Sequence, residues 1–234
     1  MVSSTLATVS SLCHECRGIG WIFIEGRGVK ACRCRVQAVV DAQLARIPPE
    51  YEHLRLDGIK PAPARHRKQA PLWKAVRKNP DGCYLICGPS GAGKSALIWV
   101  LYRRAVERNR PAVAISLAEL VEDYRRAEIA RSENEYLPRL SPASLQTKSE
   151  RWFVGLDDFH FGRPTRFAGE MIYRLLDAAY SYRHQLVVTS QLDRRRLEQH
   201  WAEAGEGYGR AIMRRVLEIE AAMYLTLFET NDKI

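Results

Sequence analysis

Residues 83–95 read CYLICGPSGAGKS: an apolar run, a loop with glycines at 88, 91 and 93, then Lys94 and Ser95 at the start of helical apolar spacing that lasts to Arg108. Glycine tolerates the left-handed backbone that turns successive N–H groups inward, and a helix that follows directs its positive dipole end to the same point. Strand, loop and helix in that order form a cradle for phosphate oxygens. Gly88, Pro89, Ser90, Gly91, Ala92, Gly93, Lys94 and Ser95 are therefore the expected nucleotide-binding residues. The Lys94 ammonium would reach the β and γ phosphates of ATP, and the Ser95 hydroxyl would sit on Mg²⁺.

Beyond the loop, strand-length apolar runs alternate with helical patterns. AVAIS, centred on 113–116, precedes a helix over 117–131, and RWFVGLDD (151–158) precedes one over 166–182. LVVTS (186–190) is followed by helices over 194–204 and 211–219, and MYLTLF (223–228) closes the series. This alternation predicts an α/β domain over 81–234, a parallel sheet flanked by helices. The 151–158 run ends in two acids. Asp157 is expected in the Mg²⁺ shell, and Asp158 is expected to orient or deprotonate the attacking water, since hydrolysis needs a carboxylate directed at the nucleophile. A polar side chain closing the neighbouring strand could touch the γ phosphate, and Gln191 is the candidate.

Upstream of the loop the composition changes. Residues 47–80 read as a basic linker leading into the core, with Pro61, Pro63 and Pro71 and a short helix over 72–77. Residues 1–46 hold Cys13-x-x-Cys16 and Cys32-x-Cys34 around a predicted hairpin, WIFIE and the turn at 25–28, followed by a helix over 36–46. Four close thiolates suit a closed tetrahedral Zn²⁺ site, which is structural because no position is open to water. Reduced free thiols and an iron–sulfur cluster are the alternatives, and His14 is a substitute ligand. Cys83 and Cys87, within an apolar run, read as small core residues.

The formal charge of +9 is uneven: fourteen Lys and Arg stand against six Asp and Glu in residues 1–80, whereas the remainder is nearly balanced. A basic front half suits an acidic or nucleic-acid partner. Tyr124, Phe159 and Phe161 read as packing residues rather than base-stacking platforms, and no residue is assigned to DNA. With no run of about 18 apolar residues and no signal-peptide pattern, a cytoplasmic protein without a membrane partner is expected.

The cysteine pairs, Ile47-Pro-Pro-Glu-Tyr51, GPSGAGKS, the paired acids of LDD (156–158) and VTSQL (188–192) together resemble the AAA+ helicase loaders, the DnaC/DnaI-like ATPases, with the transposition helpers of the IstB-like type as near relatives. The resemblance covers most of the chain and implies an AAA+ P-loop NTPase fold behind a small zinc-binding domain. It further implies ATPase activity coupled to conformational work, a homo-oligomer formed with ATP, a replicative DNA helicase held by the N-terminal module, and single-stranded DNA bound by the core. It places the arginine that completes a neighbouring subunit's site at Arg215, with Arg214 the nearest competitor. Where the family has Asn this sequence has Gln191. A helper that polymerises on duplex DNA and a nucleotide-regulated zinc adaptor with little turnover are the competing functions.

Overall fold

The computed structural model describes residues 13–58, 70–129, 139–219 and 223–227. Pro61 and Pro63, the last residues of the 117–131 helix and the end of the 223–228 strand lie outside these ranges.

In the N-terminal module, β1 (Trp21–Ile24) and β2 (Gly28–Ala31) pair antiparallel, with Trp21 opposite Ala31 and Phe23 opposite Val29. Gly26 in the turn and Gly28 at the start of β2 take φ of +70° and +88°, a conformation that costs glycine little. Helix α1 (Arg33–Leu44) starts three residues before the expected position. Cys32 occupies the N-cap in extended backbone, and its carbonyl already accepts the N–H groups of Arg35 and Val36 at 3.0 and 3.1 Å. Cys34 thus lies in the first turn of a helix. Pro48 ends the connection, and a 3₁₀ turn at Pro49–Tyr51 begins with Pro at its first position, where no N–H is needed.

The core runs α2 (Ala70–Lys78), β3 (Tyr84–Cys87), α3 (Lys94–Glu107), β4 (Ala112–Ser116), α4 (Leu117–Ile129), α5 (Pro142–Leu145), β5 (Phe153–Asp157), α6 (Arg166–Ser181), β6 (Gln185–Ser190), α7 (Arg194–Ala202), α8 (Tyr208–Glu218) and β7 (Met223–Thr226). Its five strands are parallel in the order β4-β5-β6-β3-β7. Such a sheet is covered on both faces, so its strands are apolar throughout. Side chains nonetheless alternate between two clusters. Leu85, Val154, Leu156, Leu186 and Val188 face α6, α7 and α8, while Tyr84, Ile86, Phe153 and Val187 face α2 and α3. Cys83 and Cys87 are buried among the first group, as small core residues.

Gly155 in β5 lies under α3. A Cβ there would meet Ile98 Cγ2 at 2.7 Å, so only glycine admits the helix this close. β5 is shorter than the 151–158 run because the Trp152 N–H donates to His184 Nδ1 rather than to a strand, and because Asp158 turns away with φ +50°. The short helix α5 had no sequence expectation. Ser141 and Ser144 cap it reciprocally, and Leu145 anchors it in the core. Phe159 is buried against Trp201 and Tyr124 packs on the same cluster, but Phe161 is 61% exposed and does not act as a packing residue. Among the described residues no helix is long and apolar enough to cross a membrane.

Candidate nucleotide and metal sites

All five parallel strands end on one side of the sheet, the side where open α/β sheets bind ligands. The loop after β3 carries Gly91 at φ +74° and Gly93 at φ +82°, with Gly93 capping α3 in the left-handed region. Gly88 is required for a second reason. A Cβ there would lie 2.6 Å from Leu227 Cβ, in the chain just after β7. The Gly88 N–H donates to Ser190 O at 3.1 Å, which ties the start of the loop to the end of β6.

Lys94 is 5% exposed, and its ammonium donates to the carbonyls of Gly88 at 2.9 Å and Pro89 at 2.8 Å. An ammonium has three donors, so one remains for a phosphate oxygen. Burial lowers the Lys94 pKa, while the charges of Asp158 and Asp157 oppose that shift. A buried ammonium facing two carboxylates and an open row of helix N–H groups is a donor set that fits a polyphosphate with its cation.

Asp157 ends β5 level with Ser116 of β4. Its Oδ1 accepts the Thr189 hydroxyl and the Asp158 N–H, the latter at 3.1 Å. The Asp158 N–H also reaches Thr189 Oγ1 at 3.2 Å, and the Phe159 N–H donates to Thr189 O at 2.9 Å. Thr189, fully buried on β6, therefore fixes both acids, a role the sequence did not assign. Gln191 sits one residue past β6 and is exposed, and its backbone N–H donates to His160 Nδ1 at 3.3 Å. His160 lies in the field of Asp158, Lys94 and Asp157, and burial lowers its pKa. The DD pair followed by a His was the available signal for that residue. Tyr51 was quoted only for resemblance, yet it packs on the apolar cluster beneath α2 and α3, and burial, then the charges of Glu50 and Asp157, raise its pKa.

Arg215 lies elsewhere, on α8. It pairs with Asp177 at 2.8 Å and stacks over the Tyr180 ring at 4.7 Å. It lines a cavity of about 780 Å³ with Tyr173, Arg195, Arg210 and Arg214, and no residue of the phosphate loop lines that cavity. Arg214 is more exposed and is held by Glu218 at 2.8 Å.

Cys13, Cys16, Cys32 and Cys34 converge, with all four sulfurs within 4.8 Å of one another. Cys13 and Cys32 lie 3.7 Å apart, Cys16 and Cys34 3.4 Å. A tetrahedral zinc with Zn–S near 2.3 Å needs sulfurs about 3.8 Å apart, so the cluster is positioned for a metal. The Gly20 N–H donates to Cys16 Sγ at 3.2 Å, which favours a thiolate there. Burial and the neighbouring thiols push the Cys34 pKa up, so full ionisation of the set calls for a cation. His14 is exposed and outside the cluster.

No protein-family model and no curated protein sequence matches the chain. Solved structures do. DnaI aligns over 80% of this chain and 94% of its own at 16% identity and a TM-score of 0.56, and the DnaC helicase loader over 76% and 99% at 17% and 0.52. AMPPCP-bound DnaA from Aquifex aeolicus aligns over 78% of this chain at 15% identity and a TM-score of 0.55, and the match spans about half (51%) of that longer chain. At these identities the likeness is one of fold. The strand order, the phosphate loop after β3 and the acids ending β5 agree with it: the chain has the AAA+ P-loop NTPase fold that helicase loaders share, with a four-cysteine cluster near its N-terminus.

Proposed function

We propose that this chain is an ATP-dependent loader of a replicative DNA helicase onto single-stranded DNA, in which ATP binding assembles a homo-oligomer and hydrolysis releases the helicase. The carrying observation is the convergence of Lys94 with Asp157 and Asp158 at the carboxyl ends of the sheet, in a chain that also bears a four-cysteine module. The likeness to DnaI and to the DnaC helicase loader supports the reading.

Residues 88–95 would hold the phosphates, and Ser95 and Asp157 would hold Mg²⁺, which when bound offsets charge on the β and γ oxygens. Thr189 orients Asp157 for that role. Asp158 leaves the strand with φ +50°, so its carboxylate is free to orient the attacking water and take its proton. The water oxygen then bonds to the γ phosphorus as the bond to the leaving ADP oxygen breaks. Gln191, whose backbone N–H donates to His160, would touch the γ phosphate. Arg215 lines a cavity apart from its own phosphate loop, and as the arginine that serves a neighbouring subunit it would exchange Asp177 for phosphate there. The cysteine module would hold Zn²⁺ as a structural ion and present the surface for the helicase.

The test is ATP turnover with and without single-stranded DNA, for the parent protein, Lys94→Ala, Arg215→Ala and a mixture of the two variants. DNA-stimulated turnover that is lost in each variant and partly restored in the mixture is the expected result. Tight ATP binding without turnover, or no effect on helicase transfer to DNA, would overturn the loader reading.

A further inference from the structure

We propose that one face of the β1–β2 hairpin is a stacking surface for single-stranded DNA, separate from the nucleotide site and independent of the loader reading.

Side chains two apart on a strand share a face. With Trp21 opposite Ala31 and Phe23 opposite Val29, these four stand together on one side of the hairpin. That side is open to solvent: Phe23 is 77%, Val29 55% and Trp21 38% exposed. Contiguous apolar surface of this kind marks a place where something binds, whereas scattered apolar residues do not.

The charges around it say what binds. Residues 13–35 hold five Lys and Arg against two Asp and Glu, and of those acids Glu15 is turned to the cysteine cluster, where its Oε2 accepts the Cys32 thiol at 3.5 Å. Arg27, in the turn between the strands, and Arg33, two residues beyond Ala31, are exposed, and neither has an ion-pair partner among the described residues. Exposed arginines of the core such as Arg126 and Arg174 are instead paired, with Glu122 at 3.1 Å and Glu170 at 2.6 Å. The Arg35 guanidinium lies over the Trp21 ring, 4.4 Å from its centroid, so one side of the indole is already stacked on a cation.

An apolar protein partner would use the face and leave the cations idle. A polyanion that also presents flat rings uses both, and a single strand is such a polyanion. A duplex is not, because its ring faces are stacked on one another. Trp21 and Phe23 lie about 7 Å apart along β1, within reach of two successive unstacked bases. Phe23, Val29 and Ala31 offer no hydrogen-bonding group to a 2′-hydroxyl, so the strand that fits is DNA.

Phe23→Leu keeps apolar bulk at an exposed position and removes the ring. In the full chain it should weaken binding of an oligothymidylate of about 16 nucleotides by about fivefold or more, measured by anisotropy. Arg27→Ala with Arg33→Ala should lower the slope of log affinity against log salt by about 1.4. An oligonucleotide carrying 5-bromodeoxyuridine should photo-cross-link to the tryptic peptide 18–27, which holds both aromatics. Unchanged affinity in Phe23→Leu, with cross-links confined to the core, would overturn the inference and leave the loader reading standing. So would a Phe23→Ala protein that loses a helicase partner but not DNA, or tighter binding of RNA than of DNA of the same sequence.

Discussion

The cysteine module and the α/β core are built on opposite principles. In residues 13–44 the buried apolar side chains are Cys16 and Cys32, while α1 buries none of its residues and Ile19, Phe23 and Val29 are more than half exposed. The core has an apolar cluster on each face of its sheet. A small module without a core needs a staple, and the converging sulfurs are the available one. The difference teaches where stability resides: in the core it lies in shape, while in the module four converging thiols, positioned for a metal, take the place of a core.

The sharpest break between the two is metal removal. Chelation, or Cys32→Ser, should release one zinc per chain by elemental analysis and abolish amide protection over 13–32, because zinc binding of this kind is worth on the order of 10 kcal/mol. The core should keep its own melting transition, and a transition lost from the whole chain would refute the division. Next in size, Leu85→Ala in β3 empties a fully buried position and should cost about 3 kcal/mol in denaturant unfolding without changing the zinc content.

Function and stability should separate at Lys94. Lys94→Ala should weaken ATP binding about 100-fold by calorimetry, as expected for charge-assisted bonds, while the melting temperature holds or rises because a buried charge is gone.

The smallest effect is a pH dependence confined to the core. His184 is fully buried. The Trp152 N–H donates to Nδ1, so the proton resides on Nε2, which donates to Leu145 O at 2.6 Å. Burial depresses its pKa below 6.5, so the unfolded chain takes up the proton first. Stability is then full above about pH 6.5 and falls as pH drops toward the folded pKa. His160 and His200 shift in the same direction, so His184→Gln should shrink, not remove, the fall in melting temperature between about pH 7 and pH 5.

The parts legible in the sequence are those with a local physical signature. Glycines that must turn, apolar runs of strand length and acids ending such a run mark the loop, β3 to β6 and Asp157 without reference to the rest of the chain. Parts that depend on tertiary neighbours escaped. Thr189 is one of several polar residues ending β6, and only the pairing of β6 with β5 shows that it, rather than Ser190, holds the acids. Phe161 carries no sign that its turn faces outward. Helix α5 is too short to show a period, and its serine cap resembles any polar loop. The start of α1 was misplaced because Cys32 serves both as cap and as prospective ligand, and the apolar spacing begins only at Val36.

Gly155 has a consequence beyond packing. It lies two residues before Asp157, while Ile98 lies one helical turn after Lys94, so their contact sets the gap between the Asp157 carboxylate and the Lys94 ammonium. Positions 155 and 98 are therefore not free to vary separately. A side chain gained at one must be matched by atoms lost at the other, and in a divergent lineage the pair should drift together, as a gauge preserved by compensation.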